Sequence, residues 1–74
     1  MNDITVTGRL EQKGFGFGVW ALVTADNRTY ELKDPPPELS QPLTSVTIEG
    51  VIREDIMTMA AIGPVLEIKS YQIN

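Results

Sequence analysis

The dominant pattern along this chain is an alternation of apolar and polar residues with a period of two, which is typical of half-buried β-strands. Near the start, Ile4, Val6 and Leu10 alternate with polar residues, and Gly8 interrupts the run. A glycine inside a strand pattern indicates a bend or a bulge. The pattern therefore predicts a first strand that is bent at Gly8.

A hairpin is predicted over residues 15 to 33. An apolar stretch runs from about Phe15 to Thr24, and a shorter strand follows over Thr29–Lys33. The intervening sequence, Ala-Asp-Asn-Arg, is typical of a turn, because Asp and Asn tolerate left-handed backbone and bond to it locally. The two stretches are therefore expected to pair as consecutive strands.

The sequence DPPPEL, residues 34 to 39, breaks the sheet. Asp34 is expected to cap a short helical turn whose first position Pro35 occupies, since proline fits the start of a helix. Pro42 would close this segment, and Leu39 would plug the end of a barrel.

Two further strands follow the break. Val46, Ile48 and Ile52 alternate with polar residues, and Gly50 interrupts them as Gly8 does in the first strand. The residues from 53 to 61 extend that strand or form a loop. After a turn at residues 63 and 64, the last strand is predicted over Val65–Ile73.

Three strands, a short helical plug and two more strands follow the order of the OB-fold, a five-stranded Greek-key barrel. The chain has 74 residues, so a single all-β domain over residues 1–74 is predicted. An SH3-like barrel is the alternative fold. The expected core contains the inward member of each alternation: Ile4, Val6, Leu10, Trp20, Leu22, Tyr30, Leu32, Leu39, Val46, Ile48, Leu66 and Ile68.

The second strand is apolar on both faces. If Trp20 and Leu22 point inward, the alternation sends Phe15, Phe17, Val19, Ala21 and Val23 outward, where they would form an exposed apolar stripe typical of an interface. Alternatively, a β-bulge at Gly16 or Gly18 returns Phe15 or Phe17 to the core.

The last strand poses the same question of which face is buried. Its Tyr71 and Ile73 form an exposed edge suited to a second copy, or a bulge near Ser70 turns one of them inward.

Nearly the whole chain resembles a group of small bacterial OB-fold proteins. The shared positions are a first-strand glycine, Trp-x-Leu, Tyr-x-Leu, a proline-containing plug, Val-x-Ile-x-Gly-x-Ile and Gly-Pro-x-Leu-x-Ile. In this sequence they are Gly8; Trp20 and Leu22; Tyr30 and Leu32; Pro36 and Leu39; Val46, Ile48, Gly50 and Ile52; and Gly63, Pro64, Leu66 and Ile68. The resemblance implies the OB-fold and brings no activity with it.

A local stretch, Lys13-Gly14-Phe15-Gly16-Phe17, is similar to the first nucleic-acid motif of cold-shock domains. That resemblance implies base stacking by Phe15 and Phe17. The companion aromatic residues and the histidine of that family are missing here, and Gly18 stands where it has an aliphatic residue. Single-stranded nucleic-acid binding is therefore the alternative function.

Composition narrows the chemistry. The chain has no cysteine and no histidine, which favours a reducing cytoplasm and leaves no thiolate, disulfide or usual zinc site. Its net charge is −4, and its six basic residues are scattered singly, whereas phosphate backbones need clustered cations. No serine has a histidine to activate it. No enzyme activity, metal, cofactor or membrane span is expected.

The leading functional hypothesis is a non-enzymatic module for protein interaction or self-association through the outer face of the second and third strands. An apolar surface there would supply the binding energy. Phosphate tracking by Arg9, Lys13, Lys33 and Arg53 belongs to the nucleic-acid alternative, and a small anionic or carbohydrate ligand is a third possibility. The candidate binding residues are Lys13, Phe15, Phe17, Val19 and Ala21, with Met57 and Met59 at the rim.

Overall fold

The computed structural model describes residues 3–13, 19–56 and 62–74, and these form an all-β structure. Strands β1 (Asp3–Lys13), β2 (Val19–Thr24) and β3 (Thr29–Lys33) precede a single 3₁₀ turn, Pro37–Leu39. Strands β4 (Leu43–Arg53) and β5 (Val65–Ile73) follow it. The described residues thus confirm the predicted class and the position of the turn between the third and fourth strands.

The five strands close into one barrel in the order β1-β2-β3-β5-β4. All neighbouring strands are antiparallel except β3 and β5, which run parallel. The ring closes where the start of β1 pairs with β4, for example Asp3 with Val51. Closure in this way leaves each strand with neighbours on both sides over part of its length.

Both predicted bends are present, and each coincides with a shift in strand register. The β1–β4 register shifts between Gly8 and Leu10, and the β4–β5 register shifts at Gly50. A Cβ atom on Gly50 would lie 2.1 Å from the carbonyl oxygen of Glu67. Because no side chain tolerates that distance, close approach of two backbones explains the glycine at this bend.

Of the two alternatives for the last strand, the bulge near Ser70 is present. Glu49 pairs with Ser70, whereas Gly50 pairs with Ile68, so Lys69 is an extra residue in β5. One consequence is that Tyr71 packs against the core, while Ile73 remains 43% exposed.

The turn before β4 begins later than the sequence indicated. Pro36 is its N-cap and Pro37 its first residue, so the predicted cap at Asp34 and first position at Pro35 are wrong. Asp34 has a φ of 48°, whereas a capping residue needs extended backbone. Leu39 is fully buried in the core, as the plug prediction requires.

The predicted core is confirmed. The seven fully enclosed members and the partly buried side chains packed against them include all twelve predicted residues. Leu43, Ile52 and Tyr71 join the same cluster.

The β2–β3 turn is organised by one hydroxyl group. Thr24 Oγ1 donates a hydrogen bond to Asp26 and accepts one from the backbone N–H of Arg28 at 3.0 Å. Asn27 has a φ of 66°, which its type tolerates better than most. The hydrogen bond from Thr24 lowers the pKa of the Asp26 carboxyl.

Candidate binding site beside the second half of β1

The structure brings two of the candidate residues together. Lys13 pairs with Val19 at the end of the β1–β2 ladder, and both are partly buried. The phenylalanine and methionine candidates lie outside the described residues; these are Phe15, Phe17, Met57 and Met59. Their roles therefore remain predictions from the sequence.

The expectation of an exposed apolar stripe on β2 does not hold at two of its positions. Ala21 is fully buried, and Val23 is 4% exposed, although both point to the side opposite Leu22. Val65 and Glu31 lie on the same side of the neighbouring strands and are each 5% exposed. Alternation assigns the side on which a residue lies, but it does not predict whether that side is covered. Ala21 is therefore not available as a surface contact.

An open cleft of about 370 Å³ lies beside the second half of β1. It exists because β4 begins at Leu43, opposite Leu10, whereas β1 continues to Lys13. Residues 11 to 13 of β1 therefore pair with β2 alone among the described strands. The cleft is lined by Arg9, Leu10, Glu11, Pro42, Leu43 and Thr44.

Charge alternates along the outward side of β1 next to this cleft. The Glu11 carboxylate lies 2.9 Å from Arg9 Nε and 3.1 Å from Lys13 Nζ. The hydrogen bond from Arg9, and then that from Lys13, lowers the pKa of the Glu11 carboxyl. All three side chains are substantially exposed. The rim thus offers two cations that already share one carboxylate.

The other cations are also largely engaged. Arg28 lies 3.2 Å from Asp26, and Lys33 lies 3.0 Å from Asp34. Within the part of the chain that the structure describes, Lys69 alone of the six basic residues makes no ion pair with a carboxylate.

Arg53 is held by two carboxylates. Its guanidinium lies 2.8 Å from Asp55 and also contacts Glu67 on β5. The hydrogen bond to Asp55, followed by that to Glu67, raises the pKa of Arg53. The same bond from Arg53 lowers the pKa of Asp55. This cluster ties the end of β4 to β5.

Side chains that could carry chemistry have structural partners. Ser70 donates to Glu49 at 3.0 Å, Ser40 donates to the carbonyl of Pro36 at 3.1 Å, and Ser45 accepts from Asn74 at 3.0 Å. Among residues 3–13, 19–56 and 62–74, no group of three or more acidic side chains is arranged to hold a metal ion. The same residues contain no helix that is long and apolar enough to cross a membrane.

The sequence did not predict the contribution of Pro42, Leu43 and Thr44 to the cleft. Strict alternation backwards from Val46 places Thr44 inward and Leu43 outward. The register shift opposite Gly8 reverses this order, so Leu43 faces the core with Leu10. The signal that could have found it is the first-strand glycine, read as a bulge that also shifts the partner strand.

Comparison with family models, with curated proteins and with solved structures found no match. The resemblance of the residue pattern to small OB-fold proteins therefore rests on the residues themselves. A function for this chain has to be argued from the geometry of its own surface.

Proposed function

We propose that this protein is a non-enzymatic OB-fold module of the bacterial cytoplasm that binds an extended segment of a protein partner beside β1. The strand order β1-β2-β3-β5-β4, with β3 parallel to β5, supports the OB-fold assignment. A single 3₁₀ turn between β3 and β4 occupies the place of the expected plug.

The observation that carries the functional proposal is the cleft beside an incompletely paired strand. Residues 11 to 13 of β1 extend beyond the start of β4, so no strand in the described part of the chain pairs with that side of them. An extended peptide adds to such an edge through main-chain hydrogen bonds, and an adjacent pocket selects its side chains. The half-buried Leu43 gives the cleft an apolar floor for one such side chain.

The charges favour a protein partner over nucleic acid. Binding to phosphate requires cations that gain by releasing counterions. Here Arg9, Lys13 and Lys33 each already have a carboxylate within about 3 Å, and that carboxylate would repel a phosphate group. The overall charge of −4 acts in the same direction.

The test is a binding experiment on two ligand classes. Peptides selected from a random display library, and single-stranded DNA and RNA oligonucleotides, are titrated at low and physiological salt while amide chemical shifts are followed. We expect peptides with an apolar residue to shift residues 9–13 and 42–44. Thr44→Trp should weaken this binding at least tenfold, because Thr44 is exposed and lines the cleft.

The matched control is Thr5→Trp, which adds the same side chain to an exposed position on β1 away from the cleft. It should leave peptide binding unchanged. Micromolar oligonucleotide binding at physiological salt, lost on Phe15→Ala and Phe17→Ala in a folded protein, would overturn the proposal in favour of nucleic acid. Peptide binding that ignores Thr44→Trp would place the site elsewhere.

A further inference from the structure

The second half of β5 has an open edge of its own. β5 pairs with β4 along its whole length, but with β3 only through Val65, Leu66 and Glu67. From Ile68 onward, no strand within the described ranges pairs with the side of β5 that faces away from β4. This edge is separate from the cleft beside β1.

The register shows which backbone groups point to this edge. The N–H of Asn74 donates to the carbonyl of Ser45 at 3.1 Å, in the same register that pairs Ile73 with Val46. Bonded and non-bonded pairs alternate along an antiparallel ladder. Gln72 therefore bonds towards β4, whereas Tyr71 and Ile73 direct their N–H and C=O groups outward.

The two outward-bonding residues of this edge differ in exposure. Ile73 is the one large hydrophobic side chain that is exposed among the described residues. Tyr71 is half-buried, and its hydroxyl donates to Glu38 Oε1 at 2.6 Å, which fixes the ring. Lysine and bulges are devices that block the pairing of strand edges. Here Lys69 and its bulge protect one end, whereas residues 70 to 74 carry neither device, and no strand of the described residues covers that side of them.

We infer that a second copy of this chain pairs antiparallel with this edge, around a two-fold axis at Gln72. Tyr71 then lies opposite Ile73 of the second copy, and Ile73 opposite its Tyr71, with four main-chain hydrogen bonds between them. Aromatic and β-branched residues form favourable cross-strand pairs. Residues 70 to 74 carry no side-chain charge, so this register sets no like charges opposite each other despite the net charge of −4.

The area of this contact sets the expected strength. A stable complex buries about 800 Å² on each partner, whereas an overlap of about five residues buries less. The dimer is therefore weak and forms in the upper micromolar range. It joins two barrels into one continuous sheet, β1-β4-β5 followed by β5-β4-β1 of the second copy.

The first test is sedimentation velocity between about 10 µM and 1 mM. Wild type should increase in mass with concentration. Ile73→Pro removes an outward N–H that β4 does not use, and Ile73→Lys keeps that N–H but replaces the apolar pair. Both variants should stay monomeric. Ala25→Lys, at an exposed turn position distant from this edge, is the matched control and should associate as wild type does.

The second test fixes the register. Residues at a two-fold axis lie close enough to form a disulfide, and the chain has no other cysteine. Gln72→Cys should therefore form a covalent dimer under mild oxidation at least tenfold faster than Ser70→Cys. In the inferred register Ser70 lies opposite Asn74 of the second copy, so the two thiols introduced by Ser70→Cys would be four positions apart along the paired strands.

Three outcomes overturn the inference: wild type monomeric up to 1 mM, association that survives both Ile73 variants, or equal oxidation rates at residues 72 and 70. None of them bears on peptide binding beside β1, which Thr44→Trp tests separately.

Discussion

Leu22→Ala should remove a large share of the stability of this domain. The Leu22 side chain is fully buried and belongs to the core cluster. Truncation of a buried leucine costs about 2–5 kcal/mol, because transfer free energy is lost and a cavity remains. For 74 residues, about 0.05–0.15 kcal/mol per residue gives a total free energy of unfolding of roughly 4–11 kcal/mol. The substitution therefore removes from about a fifth of that free energy to all of it.

The assay is thermal and urea unfolding followed by circular dichroism at about 5 µM, where the inferred dimer is not populated. At about 4–8 °C per kcal/mol for a domain of this size, Tm should fall by roughly 10–40 °C. Ile73→Ala deletes a side chain of the same size at an exposed position and is the matched control. If Leu22→Ala melts within a few degrees of that control, the placement of Leu22 in a close-packed core is wrong.

Two further predictions concern the end of the barrel and the bend in β4. Gly50→Ala should lower the free energy of unfolding by about 1–3 kcal/mol through overpacking, since the added Cβ would lie 2.1 Å from the carbonyl oxygen of Glu67. The loss should appear as a lower urea midpoint. Glu49→Ala, exposed beside Gly50, is the control, and equal midpoints for the two variants would refute the close approach. Tyr71 has a pKa raised above its ordinary value near 10, first by its hydrogen bond to Glu38 and then by burial. Because the folded pKa is the higher one, the stability that this group contributes is present below pH 10 and is lost as the pH rises through that folded value. In a tyrosine absorbance titration, the difference between wild type and Tyr71→Phe should therefore have its midpoint above 10, and a midpoint at or below 10 would contradict the bond.

Much of the fold could be predicted because one face of each strand is buried. Burial imposes a period of two, and it placed β3 and β5 at the residues where the structure has them. The glycines at 8 and 50 predicted the bends, because backbone approach at these points excludes any side chain. The turn before β4 was placed too early, since three consecutive prolines allow more than one starting residue and Asp34 adopts positive φ.

The candidate site was less predictable. Lys13 and Val19 were both named as candidates, but their pairing at the end of the β1–β2 ladder was not predicted. The burial of Ala21 depends on tertiary covering, which no local pattern contains. The cleft depends on the residue at which β4 begins to pair with β1. A one-residue shift in register between Gly8 and Leu10 determines that this residue is Leu43. Such shifts reverse the inward and outward assignment of every residue beyond them.

The short contact between β3 and β5 has a consequence for the motions of the barrel. Three residue pairs join these strands, whereas eight pairs join β4 to β5. β2 and β3 also share three pairs, but the hydrogen bonds between Thr24 and Arg28 in their short turn hold those two strands together in addition. Local opening occurs where the fewest interactions are broken. The ring should therefore open first at this contact and pass briefly through an open sheet while the other ladders stay intact. Amide hydrogen exchange would report this as faster exchange of the Glu31 N–H, which bonds to Pro64 at 2.8 Å, than of the N–H groups at the centre of β4.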